Sequence, residues 1–334
     1  MKIAITGGAG FIGSHLTKAY LDAGHDVLVI DTLLHGSRKA VDPRARFYSM
    51  DIRDGKLHSL LQRERPDIVS HHVLQRPQDT LPLEEISVTD ADAHIRGLLN
   101  VLDACVSASV SKIIFASGSS GLYGRLSSAD VMSVGIPVVQ ESTPLCPKTP
   151  HDISKVAGEW YVRYYTGQYG LTHTILRYAN VYGETDSTSA HHPLTYFVRM
   201  LQQGQRPIIR GAVDEVRDHI FIDDVVTANL AALERGQNTT LHISSGQGHT
   251  VKQLFQTVAY LLFSEIEPVY ISNSLVEANS CVLDNTLAWR ILKWEPQITL
   301  TTGVEWAIER LQQQMKQDTL VGAQLLESCL IGVR

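Results

Sequence analysis

Apolar positions along the chain switch repeatedly between the two-residue period of a strand and the longer period of a helix. Strand-like runs at 2–6, 26–30, 67–71 and 112–117 are separated by helix-like stretches at 11–24, 56–65 and 90–106, and a helix at 151–169 and a strand at 172–178 continue the series. Alternation of this kind predicts βαβ units that feed a doubly wound parallel sheet, an α/β fold. After Asn180 the pattern loosens. Short strands at 206–210, 218–222, 240–244 and 268–271 then lie between helices, which predicts a smaller mixed α/β lobe packed on the first. The expected division is a first domain at 1–178, a second lobe at 179–316 with chain exchanged between the two, and a C-terminal extension at 317–334. In that extension Leu320, Val321, Leu325, Leu326 and Leu330 recur at helical spacing, as in a helix docked on the body.

Composition narrows the class. With 44% apolar and 19% charged residues the chain reads as an ordinary globular enzyme, not a disordered or fibrous protein. The net charge is −6 and no basic cluster exceeds Gly36-Ser37-Arg38-Lys39, so a nucleic-acid partner is not expected. Cys105, Cys146, Cys281 and Cys329 form no C-x-x-C pair, so neither a metal site nor a disulfide framework is indicated. The apolar stretch at 254–263 is broken by Gln256 and Thr257 and falls short of the ~20 residues of a membrane span. The first strand and its glycine loop begin at Ile3 in place of a basic start and an apolar run, so no secretory leader and a cytoplasmic location are expected.

Thr6-Gly7-Gly8-Ala9-Gly10-Phe11-Ile12-Gly13 follows a predicted strand and opens a predicted helix, the context that a dinucleotide-binding loop requires. Gly7 and Gly10 permit a tight turn and close approach of backbone to pyrophosphate. Gly13 lets helix and strand pack closely, and the helix start at Phe11 and Ile12 offers N–H groups and a positive dipole end to the phosphates. Asp31 closes the second strand about 20 residues on, where a carboxylate accepts the ribose 2′-hydroxyl and repels a 2′-phosphate. The cofactor expected is NAD in a Rossmann site. Arg38 and Lys39 lie close enough in sequence to weaken the preference over NADP, although they read first as an ordinary solvated loop.

Several further motifs stand in a recognisable order: Asp51-Ile52-Arg53-Asp54, a Phe115–Gly124 run ending in Tyr123-Gly124, Ser154-Lys155, Leu176-Arg177-Tyr178-Ala179-Asn180-Val181-Tyr182-Gly183, and Arg217-Asp218-His219 leading to Asp223-Asp224-Val225. Over about residues 1–310 the chain resembles the extended short-chain dehydrogenase/reductases, in particular the UDP-glucose 4-epimerase group of the NAD-dependent epimerase/dehydratase family. The resemblance implies that Asp51 and Ile52 border the adenine and that Lys155 and Tyr178 contact the cofactor. It implies that Ser119 holds the reacting oxygen, and that Asn180 and Arg217 bind the diphosphate of a nucleotide sugar, with Arg217 acting from the second lobe. It also implies a homodimer built from the helices at 90–106 and 153–169. The second helix carries Val156, Trp160, Tyr161 and Tyr164 in a row that would suit a buried core equally well.

The chain departs from that family at its catalytic Tyr-x-x-x-Lys element, which here reads Thr149-Pro150-His151-Asp152-Ile153-Ser154-Lys155. His151 stands where the tyrosine belongs. A phenol near pKa 10 must be lowered before it accepts a proton, whereas free imidazole titrates at about 6.5 and is ready as a base, though shorter by about 2 Å. His71-His72-Val73-Leu74-Gln75 replaces a segment of small residues, His94 replaces an asparagine three residues before Gly97, and Asn279-Ser280-Cys281-Val282 lacks the arginine expected before Leu283-Asp284. Ser120 and Gly121 stand where dehydratases and decarboxylases of the family carry acids, so epimerisation or simple oxidoreduction is expected instead. The leading expectation is an NAD-dependent epimerase or oxidoreductase on a nucleotide-activated sugar, with Ser119, His151 and Lys155 as catalytic residues. The alternatives are a catalytically weak NAD-binding protein and an oxidoreductase on a non-sugar alcohol or ketone.

Overall fold

The computed structural model describes residues 1–74, 83–118, 120–124, 136–184, 193–210, 214–271 and 280–331. In chain order the strands are β1 (Lys2–Thr6), β2 (Asp26–Asp31), β3 (Arg46–Ser49), β4 (Ile68–His71), β5 (Lys112–Ser117), β6 (Val138–Val139), β7 (Thr172–Tyr178), β8 (Asn180–Tyr182), β9 (Ile208–Arg210), β10 (Val216–Phe221), β11 (Thr239–Ile243), β12 (Gly248–Thr250), β13 (Val269–Ile271) and β14 (Val282–Leu283). The helices are α1 (Phe11–Asp22), α2 (Lys56–Glu64), α3 (Leu83–Ala91), α4 (Gly97–Ser107), α5 (Pro150–Tyr169), α6 (Pro193–Gln202), α7 (Ile222–Glu234), α8 (Val251–Leu261), α9 (Thr286–Leu292) and α10 (Leu300–Ile331).

Seven strands form one parallel sheet in the order β3-β2-β1-β4-β5-β7-β11. Its central strands β4 and β5 are buried at every residue, because helices cover both faces of such a sheet. Leu28, Ile30, Val69, Ile113, Phe115 and Ile175 pack with Leu57, Leu61, Leu98, Leu102 and Val162 from α2, α4 and α5 in a single core. The register aligns Thr6 with Ile30 and with His71, Ser117 with Arg177, and Tyr178 with Ile243. One edge of the sheet therefore gathers the strand ends that precede Gly7, Asp31, His72 and Gly118. Ligands of doubly wound sheets bind at that carboxyl edge.

The predicted helix at 90–106 is longer and less regular than its pattern suggests. It begins with α3, passes through a π-turn at Asp92–Arg96 and continues as α4. Helix α5 starts where Thr149 Oγ1 accepts the amide of Asp152 at 3.1 Å, with Pro150 in the first helical position, and ends at Gly170 with φ of 72°.

The chain forms two compact units, and their boundary differs from the expected break at 178/179. The larger comprises Met1–Val181, Val216–Gly248 and Asn279–Gln297; the smaller comprises Tyr182–Glu215, His249–Ala278 and Ile298–Arg334. Strand β11 pairs with β7, which carries 216–248 back into the larger unit. Arg217, expected in the second lobe, consequently belongs to the first. Within the smaller unit α6, α8 and α10 pack together beside the β9–β13 pair. The extension at 317–334 is helical through Ile331, while the contacts expected of Leu320, Val321, Leu325, Leu326 and Leu330 lie outside the described side chains. No helix among the described residues is long and apolar enough to cross a membrane.

Among the described residues six histidines of the large unit are buried, and four of them hydrogen-bond a neighbour through a ring nitrogen and are read as neutral. His71 Nδ1 meets Thr6 Oγ1 at 2.7 Å, His72 Nε2 meets Ser70 Oγ at 2.9 Å, His173 Nδ1 meets Thr166 Oγ1 at 2.7 Å, and His242 lies between Tyr123 OH and the Asp284 carbonyl. Burial pushes His71 well below the usual imidazole range, His72 down to about 3, and His173 and His242 down to about 4. In the unfolded chain these rings take up protons at about 6.5, and in the folded one only at far lower pH. The contribution of these rings to stability is therefore complete above about pH 6.5 and falls on acidification, by about 1.4 kcal/mol per pH unit for each ring until its folded-state pKa is reached. Urea denaturation at pH 7 and pH 5 should show a markedly lower midpoint at pH 5, and equal midpoints would refute the neutral-ring assignment.

Candidate active site

The glycine loop leaves β1 at Gly7, whose φ of +76° lies in the left-handed region. A Cβ on Gly7 would stand 2.6 Å from the His72 carbonyl oxygen, and one on Gly13 would stand 2.1 Å from the Gly7 carbonyl oxygen. Both obstacles are backbone, so neither can swing away. Gly10 is looser, since a Cβ there would lie 3.4 Å from Gly7 O. No side chain caps the N-terminus of α1, which opens directly from this loop with Phe11 and Ile12 in its first turn. Asp31 braces the cradle: its carboxylate accepts the Ala9 amide at 3.0 Å and the Leu33 amide at 2.8 Å. Arg38 turns onto the ring of Phe47, 4.8 Å from its centroid, and donates to the Val41 carbonyl at 3.4 Å. A side-chain-free turn, an uncapped helix start and a carboxylate at the end of β2 fit a dinucleotide.

Asp51 receives Arg53 in a bidentate pair that holds its carboxyl below the usual range, and Arg53 also reaches Asp92. Ile52 is buried, and a Cβ on Gly97 would meet its Cδ1 at 2.6 Å, so α4 approaches this loop as closely as glycine allows. Tyr178 is buried, donates to Asn229 Oδ1 at 3.0 Å and stacks on His72.

Around His151 the structure assembles a cluster that sequence spacing did not reveal. His151 lies in the first turn of α5, with Nδ1 at 3.3 Å from Asp90 Oδ2. Asp90 belongs to α3, and its side chain is only 1% exposed, against 34% for His151. His94, on the π-turn, places Nε2 at 3.7 Å from the same oxygen and sets its ring edge-on to that of His151. Burial pushes the Asp90 carboxyl up, yet His151, Ser154 and His94 outweigh it and hold the group below the usual range. One turn along α5, Lys155 is buried, donates to the Ala116 carbonyl at 3.0 Å and lies over the Phe115 ring. Burial pushes Lys155 down to about 8, although Asp90 and Glu159 oppose the shift. An imidazole oriented by a carboxylate on one nitrogen, partly exposed and followed by an amine, has the form of an acid/base pair.

The next turn of α5 supports this group. Glu159 is fully buried, accepts Ser117 Oγ at 2.6 Å, and pairs with Arg177 through bonds of 2.8 and 2.7 Å. Arg177 also donates to Tyr123 OH at 2.8 Å. Ser119 lies outside the described residues, so its expected place near His151 is not part of this geometry. A Cβ on Gly121 would stand 2.6 Å from Asp152 Oδ1, so a larger side chain there would require the Asp152 carboxylate to move. Asn180 Nδ2 donates to the Asp218 carbonyl at 2.9 Å, and Arg217 bridges through its backbone to Cys281 on the neighbouring segment. The arginine sought at 279–282 has no equivalent: Cys281 and Val282 are buried there, and Asn279 lies outside the described residues. Asp90 went unread in the sequence because its role depends on a residue 61 positions away. An Asp-x-x-x-His spacing at Asp90 and His94 was the local sign available.

Residues 3–244 match the NAD dependent epimerase/dehydratase family. The chain belongs to this family. A putative UDP-glucose 4-epimerase of Methanocaldococcus jannaschii is 32% identical over 304 residues, covering 91% of this chain and 96% of that protein. The crystal structure of the Thermotoga maritima UDP-glucose 4-epimerase with UDP-glucose is 33% identical, covers 94% of this chain and all of that one, and superposes with a TM-score of 0.86. The Thermus thermophilus UDP-glucose 4-epimerase, solved with NAD, is 28% identical, with coverage of 93% and 99% and a TM-score of 0.83. The parallel sheet and its glycine cradle are thus family features, and the cofactor of the family is the one that the cradle fits.

Gly13→Ala should destabilise the protein by about 1–3 kcal/mol and abolish NAD binding, because its Cβ meets fixed backbone. Gly10→Ala should leave thermal stability nearly unchanged. Calorimetric NAD titration beside thermal melts checks both, and a stable Gly13→Ala that binds NAD normally would contradict the packing argument.

Proposed function

We propose that this member of the family is an NAD-dependent epimerase of a nucleotide-activated sugar, with a UDP-hexose as the first substrate to examine, and with His151 as its acid/base. The observation that carries the reading is the Asp90–His151 contact at 3.3 Å in the first turn of α5, four residues before Lys155. Support for the substrate class comes from the 4-epimerase relatives and from the T. maritima structure, which contains UDP-glucose. NAD, when bound, supplies a reversible hydride acceptor.

The chain's own residues then have separate tasks. Asp90 accepts a hydrogen bond from the N–H at His151 Nδ1, which leaves the lone pair of Nε2 to take a hydroxyl proton from the sugar and to return it. Lys155, anchored at Ala116, stands beside Phe115 at the carboxyl edge of the sheet and is assigned to the nicotinamide ribose. Asp31, Asp51, Ile52 and Tyr178 are assigned to the cofactor, and Asn180 and Arg217 to the diphosphate. Ser119 completes the set as the group that holds the reacting oxygen. The roughly 2 Å by which imidazole is shorter than phenol is bridged by a closer sugar or by one water.

A homodimer and a cytoplasmic location belong to the same reading. Ile153, Trp160, Tyr161 and Tyr164 are exposed on α5 rather than buried, and such an aromatic face is costly to leave in water. Free thiols at Cys105, Cys146 and Cys281 accord with a reducing compartment. A monomer by light scattering at micromolar concentration would overturn the dimer.

The functional test uses NAD-loaded protein and UDP-glucose deuterated at C4. The expected product is the C4 epimer with the label retained, since the hydride that leaves a carbon returns to it. His151→Ala should lower this turnover by roughly 10²–10⁴-fold with NAD affinity unchanged. Exchange of the label with solvent, or no binding of any UDP-, GDP- or dTDP-sugar, would overturn the reading.

A further inference from the structure

The His151 cluster contains more than an acid/base pair requires. A carboxylate that orients a base needs one partner, whereas Asp90 draws in two imidazoles from different elements, His94 and His151. One ligating atom from each of the three residues lies within 4.8 Å of the others. The shorter separations, 3.3 and 3.7 Å, approach the spacing of about 3.3 Å between ligands that share a tetrahedral ion through bonds of 2.0–2.1 Å. Moreover, Asp90 Oδ1 is buried and accepts no hydrogen bond among the described residues. A buried carboxylate oxygen without a donor is costly, and a cation removes that cost. Lys155, the nearest buried amine on α5, is engaged by the Ala116 carbonyl. His94 sits on a π-turn, an irregularity that helices retain where a side chain must be re-aimed.

We propose that Asp90, His94 and His151 form a binding site for a divalent transition-metal ion of the Zn²⁺ class, whose occupancy switches His151 out of its proton-accepting form. Two imidazoles and one carboxylate suit a borderline ion such as Zn²⁺ or Co²⁺, with a fourth position left open. Mg²⁺ and Ca²⁺, which prefer all-oxygen ligands, are excluded. An ion on Nδ1 of His151 keeps the ring's proton on Nε2, and that nitrogen can then no longer accept one. Metal and sugar hydroxyl thus compete through opposite nitrogens of one ring. The binding site stands on geometry alone; the switch rests on the reading of His151 as the acid/base.

The experiment titrates NAD-loaded protein with Zn²⁺ by calorimetry and with Co²⁺ by its visible absorption, in the unmutated protein and in His94→Ala and His151→Ala. The expected result is one ion per chain, the intense Co²⁺ spectrum of a four-coordinate site, no displacement by excess Mg²⁺, and affinity lower by at least about tenfold in each variant. His151 is partly exposed, so its variant keeps the test open should His94→Ala fail to fold. Absence of saturable binding, or equal affinity in His151→Ala, overturns the site. Zn²⁺ should also inhibit epimerisation at the concentration that fills the site. Binding without inhibition overturns the switch and leaves the site standing, while a protein inactive on every sugar nucleotide fails the functional reading and still reports on the metal.

Discussion

A buried carboxylate must be answered by positive charge or by donors, and Asp90 imposes that demand on the centre of the site. Its side chain is almost wholly removed from water, and an unanswered charge there would cost several kcal/mol. The fold answers it from two directions: α3 carries Asp90 and runs into the π-turn that presents His94, while the first turn of α5 presents His151. The start of α5 is fixed in turn by the Thr149 cap and by Pro150. The position of His151 is therefore set by a contact between two helices and not by its own helix alone.

A second buried carboxylate, two turns further along α5, ties that helix to the sheet. Glu159 binds Ser117 at the end of β5 and Arg177 on β7, Arg177 holds Tyr123, and Tyr123 meets His242 on β11. Three adjacent strands and one helix thus share a hydrogen-bonded chain. Burial pushes the Glu159 carboxyl up, but its bonds to Arg177 prevail and hold it ionised below the usual range. Such a network is demanding, since loss of any one member strands the others in a low-dielectric core. It gives α5 a fixed rotation about its axis, and both His151 and Lys155 depend on that rotation.

The features legible in the sequence were those that local chemistry specifies. The glycine loop, Asp31 and the strand–helix alternation each depend on neighbours within some twenty residues, and β1, α1, β2, α2, β4, β5, α5 and β7 lie close to the runs that the pattern marked. Long-range features were opaque. Asp90 is recognisable only once α3 and α5 are side by side, and the π-turn leaves no mark in the apolar pattern because its residues remain helical and half-buried. The return of 216–248 to the large unit follows from the pairing of β11 with β7, an edge-strand choice that hydrophobic periodicity does not encode. Arg217, expected in the second lobe, falls in the larger unit for that reason. The glutamate–arginine network at Glu159 was hidden similarly, since an isolated Glu on a helix reads as a solvated face.

The central claim is that Asp90 holds His151 with its proton on Nδ1 and its lone pair on Nε2. Nitrogen-15 NMR of the histidine side chains in metal-free, NAD-loaded protein observes that tautomer directly. With His151 assigned by loss of its signals in His151→Ala, the account predicts a neutral ring protonated at Nδ1, shifting toward the Nε2-protonated form in Asp90→Asn. A resting ring protonated at Nε2, unmoved by Asp90→Asn, would contradict it.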